Sequence, residues 1–365
     1  MTNRERFLNA LSFQPIDRIP LVEWNIRGST MREWVKQGYP EGVDPTLFFD
    51  LDPYNVSVPI HLGMHPEFEE KIIEDTGVYK IWQDHQGAVR KDFSEIKNPG
   101  FVTRSWLSFP VQTRDDFLIM KERYDSKDPE RIPLNFKERS KILNLGVTTT
   151  HLSVPFLFWT ARDWIGFENL CMMFYDDPSL VHEIFTFLTD FCIEVLQDRI
   201  RQVNIDVVEL KEDMAYKHAP MISPDMFRTF MFPHYRRFIE FLKGNGVKLV
   251  YVDCDGYPGG LIPEFLEAGV DAISPVEIAA GNDVVKLREE YPRLGMLGGI
   301  DKRELAKDRK AIYQEVISKV PAMLEKGGYI PHVDHGIPHD VPLVNYLYYR
   351  ELLTNLALGK SVREP

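Results

Sequence analysis

Residues 248–277 read KLVYVDCDGYPGGLIPEFLEAGVDAISPVE. Two short apolar runs, near 248–252 and 270–274, fit strands. The first runs into Asp253-Cys254-Asp255-Gly256 and the second into Ser274-Pro275-Val276-Glu277. Asp253 and Asp255 alternate along an extended end, so either both carboxylates face one cation or ligand, or Asp255-Gly256 is a turn in which Asp255 caps the helix that follows. Strands joined through a helix run parallel, because the helix returns the chain to the end where the first strand began.

The same alternation extends in both directions. Apolar runs fit strands near 53–58, 146–152, 205–211, 294–298 and 328–332 as well, and Ile19-Pro20-Leu21-Val22-Glu23-Trp24 reads as a first strand. The clearest helical patterns are 178–203, opened by Asp176-Asp177-Pro178, and 223–243, opened by Ser223-Pro224 and closed by Gly244 or Gly246. Thr2-Asn3-Arg4-Glu5 is a capping box ahead of Phe7, Leu8 and Leu11. The strand count reaches eight, the number that closes a barrel, and predicts a TIM (β/α)8 barrel. The stretch 60–110 breaks the rhythm. Alternating segments there are separated by Asp75-Thr76-Gly77 and His85-Gln86-Gly87, which are hairpin signals. They predict a β-hairpin excursion inserted after the second strand of one domain spanning 1–365.

The totals fit that expectation. The 365 residues, 44% hydrophobic and 27% charged, can bury a large core. A formal charge of −12 provides no basic footprint, so nucleic acid is not an expected partner. No apolar run is long enough to span a bilayer and no signal-peptide pattern opens the chain, which predicts a cytoplasmic protein without a membrane partner. Three cysteines at wide spacing make no disulfide framework. Cys171 and Cys192 fall on helical patterns and read as packing residues.

In a TIM barrel the chemistry lies at the C-terminal ends of the strands. Those ends hold Trp24 and Asn25; His151; Glu212 and Asp213; Asp253, Cys254 and Asp255; Glu277; and the run His332-Val333-Asp334-His335-Gly336-Ile337-Pro338-His339. A histidine beside carboxylates is either a metal site or a proton-transfer site. The catalytic candidates are therefore Glu212, Asp253, Asp255 and His335. The same four are the candidate metal ligands, with Cys254 as an alternative ligand or a buried thiol. Trp24, Asn25, His151, Glu277, His332 and Asp334 are candidates for the substrate pocket. Gly298-Gly299 is expected to let the backbone approach a flat ligand over the mouth.

Arg6-Phe7-Leu8-Asn9-Ala10-Leu11 with Asp17-Arg18-Ile19-Pro20 resembles the opening of the uroporphyrinogen decarboxylase superfamily. Gly166-Phe167-Glu168-Asn169-Leu170, Asp177-Pro178, Asp255-Gly256, Gly298-Gly299-Ile300-Asp301-Lys302 and His335-Gly336-Ile337-Pro338 follow in that superfamily's order. The resemblance covers essentially the whole chain and itself implies a TIM barrel. The true decarboxylases hold an eight-carboxylate substrate with an arginine-rich segment after the first strand. Here that stretch is Glu23-Trp24-Asn25-Ile26-Arg27-Gly28, with one arginine and a new acid. Their catalytic aspartate follows the second strand, where Asp50 and Asp52 lie nearby without aligning.

The other branch comprises methyltransferases that work with corrinoid proteins. Its thiol-using members bind zinc at positions that resemble Asp253, Asp255 and His335 here. The resemblance implies a methyltransferase of a corrinoid-dependent demethylation system. It would move a methyl group from a small, possibly O-methyl, donor to a corrinoid (cobalamin) on a partner protein, with zinc at the altered site. The alternatives are a decarboxylase or lyase acting on a smaller carboxylate and a non-catalytic tetrapyrrole- or corrinoid-binding protein. A homodimer is expected by analogy with the decarboxylases.

Overall fold

The computed structural model describes residues 1–94 and 104–365. Its strands are β1 (Val56–Ser57), β2 (Lys71–Asp75), β3 (Tyr79–Gln83), β4 (Val89–Phe93), β5 (Arg104–Ser108), β6 (Thr150–Pro155), β7 (Val207–Lys211), β8 (Leu249–Asp253), β9 (Ala272–Val276), β10 (Gly295–Ile300) and β11 (Tyr329–Val333). Seven of them form a curled sheet in the order β1-β6-β7-β8-β9-β10-β11, every neighbouring pair parallel. Helices follow the strands on the outside. The long helix Pro178–Leu196 buries Leu180, Val181, Ile184, Phe185, Leu188 and Phe191 at helical spacing, one apolar stripe packed against neighbouring helices, among them Leu157–Ile165 and Phe232–Gly244.

The expected eighth strand at 19–24 does not form a ladder among the described residues. Pro20 has no N–H to offer. At Val333, on the edge strand β11, the N–H donates to the Glu23 side-chain carboxylate rather than to a backbone carbonyl. The segment still bridges the gap in the curled sheet. Ile26 makes an isolated parallel bridge with Ile337, and the Leu21 carbonyl accepts from Asp52 N. Asp52, bound by both Arg18 nitrogens at 2.6 and 2.7 Å and by Leu21 N, ties the segment down. A structural ion pair therefore occupies the place where a catalytic aspartate was considered. Asp50, nearby, has a left-handed backbone.

Between β1 and β6 the chain makes a separate antiparallel sheet in the order β2-β3-β4-β5. The excursion expected over 60–110 partly lies outside the described residues, at 95–103. The helix expected over 223–243 is two helices, Pro224–Phe230 and Phe232–Gly244. Pro233, in the first turn of the second, cannot donate into a continuous helix.

Candidate active site

His335 lies just beyond the end of β11, and Asp255 just beyond the end of β8. The fold brings them together across 80 residues, with His335 Nε2 3.1 Å from Asp255 Oδ2. On the other side of the ring, Nδ1 is 2.6 Å from the Asp334 carbonyl oxygen. A carbonyl only accepts, so Nδ1 carries hydrogen, and with a second hydrogen on Nε2 donated to Asp255 the ring is an imidazolium. Burial lowers the proton affinity of the ring. The hydrogen bond and charge of Asp255, supported by Glu277, outweigh burial and hold His335 above its ordinary value.

A second tier fixes this pair. Asp334 is fully buried and accepts from Ile278 N at 2.9 Å and from Lys302 Nζ at 3.3 Å. Burial raises its pKa, while the charge of Lys302 works against that. Lys302 also pairs with Glu277 Oε1 at 3.5 Å, and Glu277 Oε2 accepts from Gly256 N. Gly256 has φ 84°, and an added Cβ would lie 2.6 Å from the Ala215 carbonyl oxygen, so only glycine carries the chain from Asp255 into this turn.

Asp213 was named at its strand end but not singled out, yet it belongs to the site. Its backbone is left-handed at φ 40°, a costly conformation for a non-glycine residue. Arg162 holds it there, donating to the Asp213 carbonyl oxygen at 2.6 Å and lying 3.4 Å from Oδ2. Burial raises the Asp213 pKa; among the charges acting on it, Asp255 raises it further and His335 lowers it. Asp253 is also mostly buried, and its pKa is raised well above the ordinary value by burial and then by Glu209 and Asp255. The mouth is thus rich in carboxyl groups around one imidazolium. Asn25 accepts Ile337 N on its backbone carbonyl, and its side chain lies against Gly336, with the exposed Trp24 next to it.

Several expected members lie elsewhere. Glu212 is fully buried; Oε2 accepts from Phe158 N at 2.7 Å and Trp159 N at 3.1 Å, and Oε1 accepts from Tyr235 OH at 2.6 Å. It caps the helix Leu157–Ile165, and burial pushes its pKa up to about 7. Cys254 accepts from Met214 N and faces away from the pair, its thiol pushed upward by burial. His151 was expected at a strand end, but β6 runs on to Pro155. The histidine therefore sits near the start of β6, inside the barrel, 3.0 Å from Tyr251 OH, which donates to Glu209.

His332 is also interior. Burial takes its pKa down to about 4, so it is neutral, and its Nε2 has no partner among the described residues. Gly298 and Gly299 lie within β10 and do not face an open mouth. A Cβ on Gly299 would lie 2.4 Å from Val284 Cγ1, so that glycine admits a neighbouring helix, and one on Gly298 would lie 3.2 Å from Val276 N of β9 and 3.4 Å from the His332 ring. Glu23, the new acid of the stretch after the first expected strand, is buried against β11, where it accepts from Val333 N, and burial raises its pKa to about 8.

Zinc requires three or four donors converging at about 2.0–2.3 Å. Among the described residues no three His, Cys, Asp or Glu side chains are grouped to hold a metal ion. Glu212 and Cys254 are committed elsewhere, and His335 and Asp255 are engaged with each other. The residues present do not fit zinc. Among the described residues, no helix is long and apolar enough to cross a membrane.

A solved structure described as a methyltransferase from Methanosarcina mazei shares the fold, with a TM-score of 0.60 over 98% of this chain and 99% of that one, at 16% identity. A uroporphyrinogen decarboxylase of Hydrogenobaculum sp. is 19% identical over 97% of this chain and 96% of its own. Another, from Campylobacter concisus, is 22% identical, and there the match covers 52% of this chain and only about half, 55%, of the relative. The family model "Uroporphyrinogen decarboxylase (URO-D)" matches residues 158–355, more than half of the chain and the part that carries Asp213, Asp255 and His335. The chain belongs to the uroporphyrinogen decarboxylase (URO-D) family, whose relatives here are decarboxylases and whose fold it shares with a methyltransferase.

Proposed function

We propose that the protein is a methyltransferase that demethylates a small, neutral or cationic O-methyl donor, with His335 as general acid. The observation that carries this reading is an imidazolium held by Asp255 in a mouth whose other charged groups are mostly carboxylates. As the methyl–oxygen bond breaks, the electron pair stays on oxygen, and His335 Nε2 supplies the proton that neutralises it. The methyl group passes to the nucleophilic centre of a corrinoid carried by a partner protein. After each turnover the ring regains its proton from solvent, with the Asp255 charge favouring the charged form, and Asp334, held by Lys302, fixes the ring's orientation through its own backbone carbonyl. The exposed Trp24 offers a flat face for the donor, and Asn25 a hydrogen bond. A polycarboxylate fits this mouth poorly, because the Asp255 and Glu277 carboxylates would repel it and Lys302 is already held by Glu277 and Asp334.

The decarboxylase relatives favour a second reading, decarboxylation of a smaller carboxylate. In that reading Lys302 would meet the substrate carboxylate. One assay separates the two. The protein is incubated with a panel of methoxylated compounds and free cob(I)alamin, and with uroporphyrinogen and small carboxylates in parallel. Methylcobalamin formation supports methyl transfer. Carbon dioxide release without cobalamin supports the decarboxylase reading and refutes the first.

A further inference from the structure

A second cavity lies away from the His335–Asp255 pair, at the seam between the antiparallel sheet and the barrel. It encloses about 140 Å³ between the segment carrying His61 and Glu67, the β3–β4 turn with His85, and the helix Leu157–Ile165, which contributes Trp159 and Asp163. Tyr124 forms an inner wall. Its lining includes two carboxylates and two imidazoles but neither lysine nor arginine.

Asp163 is the chemically informative member. It is half-buried and lines the cavity beside Gln86 and Trp159. Burial dominates and pushes its pKa up to about 6, against the opposing charge of Arg162. Arg162 is itself engaged with the Asp213 carbonyl and carboxylate. With Arg162 turned to Asp213, the Asp163 carboxylate has no ion-pair partner within 4 Å among the described residues, and a positive ligand would supply one. An anion would meet two carboxylates. A metal ion is not favoured, since no three ligating side chains are grouped here among the described residues. Aromatic walls beside a buried carboxylate suit an organic ammonium, whose charge is attracted to ring faces while its methyl or methylene groups pack against them.

We propose that this cavity binds a small organic cation, an ammonium about the size of choline, with Asp163 as counter-ion and Trp159 and Tyr124 as aromatic walls. The helix that carries Asp163 also carries Arg162 to Asp213, so occupancy would be felt at the mouth. The site is nonetheless defined by binding and stands independently of the reaction there.

The test is titration calorimetry with choline and with 3,3-dimethylbutan-1-ol, its neutral isostere, on wild type, Asp163→Asn and Glu67→Gln. Methylammonium serves as a smaller cation. Choline or methylammonium should bind wild type, the isostere should bind at least about tenfold more weakly, and Asp163→Asn should lose about tenfold or more in affinity. Glu67→Gln should lose less, since Glu67 is exposed. Equal binding of choline and its isostere would overturn the proposal without any variant being needed. So would unchanged choline affinity in Asp163→Asn, or no binding of either cation to wild type up to about 10 mM.

Discussion

Replacing Asp255 by Asn keeps the shape of the pair and removes its charge. In the structure the carboxylate oxygen lies 3.1 Å from His335 Nε2, and the Asp255 side chain is 47% exposed. Full Coulomb attraction in a low dielectric would overstate the effect, because solvent screens the outer half of the pair. Discounted for that exposure, the pair falls within the range of a partly solvated ion pair, at most about 1 kcal/mol. The folded pKa of His335 is raised above the unfolded value of about 6.5. Its stabilising contribution is thus full below pH about 6.5 and is lost as pH rises through the folded pKa. Asp255→Asn should remove most of that contribution at low pH and change little at high pH. The assay is two-dimensional NMR titration of the histidine Cε1–H signals, with His335 assigned through His335→Gln. The His335 midpoint should lie above the ordinary value in wild type and fall in Asp255→Asn, which loses the hydrogen bond and charge that raise it. A wild-type midpoint below about 6.5, or an unchanged midpoint in the variant, would refute the imidazolium assignment.

Asp52→Ala leaves Arg18 half-buried without its bidentate partner and should cost about 3 kcal/mol, read as a lowered denaturant midpoint. Gly299→Ala forces a Cβ into Val284 at a left-handed φ of 79° and should destabilise by about 2 kcal/mol or more in the same assay. Glu212 has its pKa raised from 4.5 to about 7 by burial, so its charged form opposes folding increasingly as pH rises from about 4.5 to 7. Glu212→Gln should accordingly shift the pH optimum of stability upward, measured by thermal melts across that range. Cys254 and Cys192 are buried and should resist a thiol reagent in the native protein, while the half-buried Cys171 reacts first and all three react after unfolding.

The parallel strands were legible because each is an apolar run bounded by polar strand ends, and β7 to β11 fall within two residues of where the runs place them. The segment 19–24 has the same composition, but Glu23 satisfies Val333 with a side chain, which no local pattern can show. His151 was misplaced because β6 ends three residues later than the run suggests, at Pro155, which moves the histidine from the mouth into the barrel. The His335–Asp255 pair was reachable from the rule that strand ends face the site, although the residues are far apart in sequence. Glu212 obeyed the same rule and proved to be a helix cap, because its partners at 158 and 159 lie more than fifty residues away. Asp213 carries no local signal for its left-handed backbone, and Arg162, which holds it, lies on another element.

The most direct test of the account is the rate of methyl transfer from an accepted methoxylated donor to cob(I)alamin, compared between wild type and His335→Gln over a range of pH. The account predicts a loss of about 10²-fold or more in the variant, and a wild-type rate that falls as pH rises through the His335 midpoint. Full activity in His335→Gln, or a wild-type rate that rises with pH through that midpoint, would contradict it.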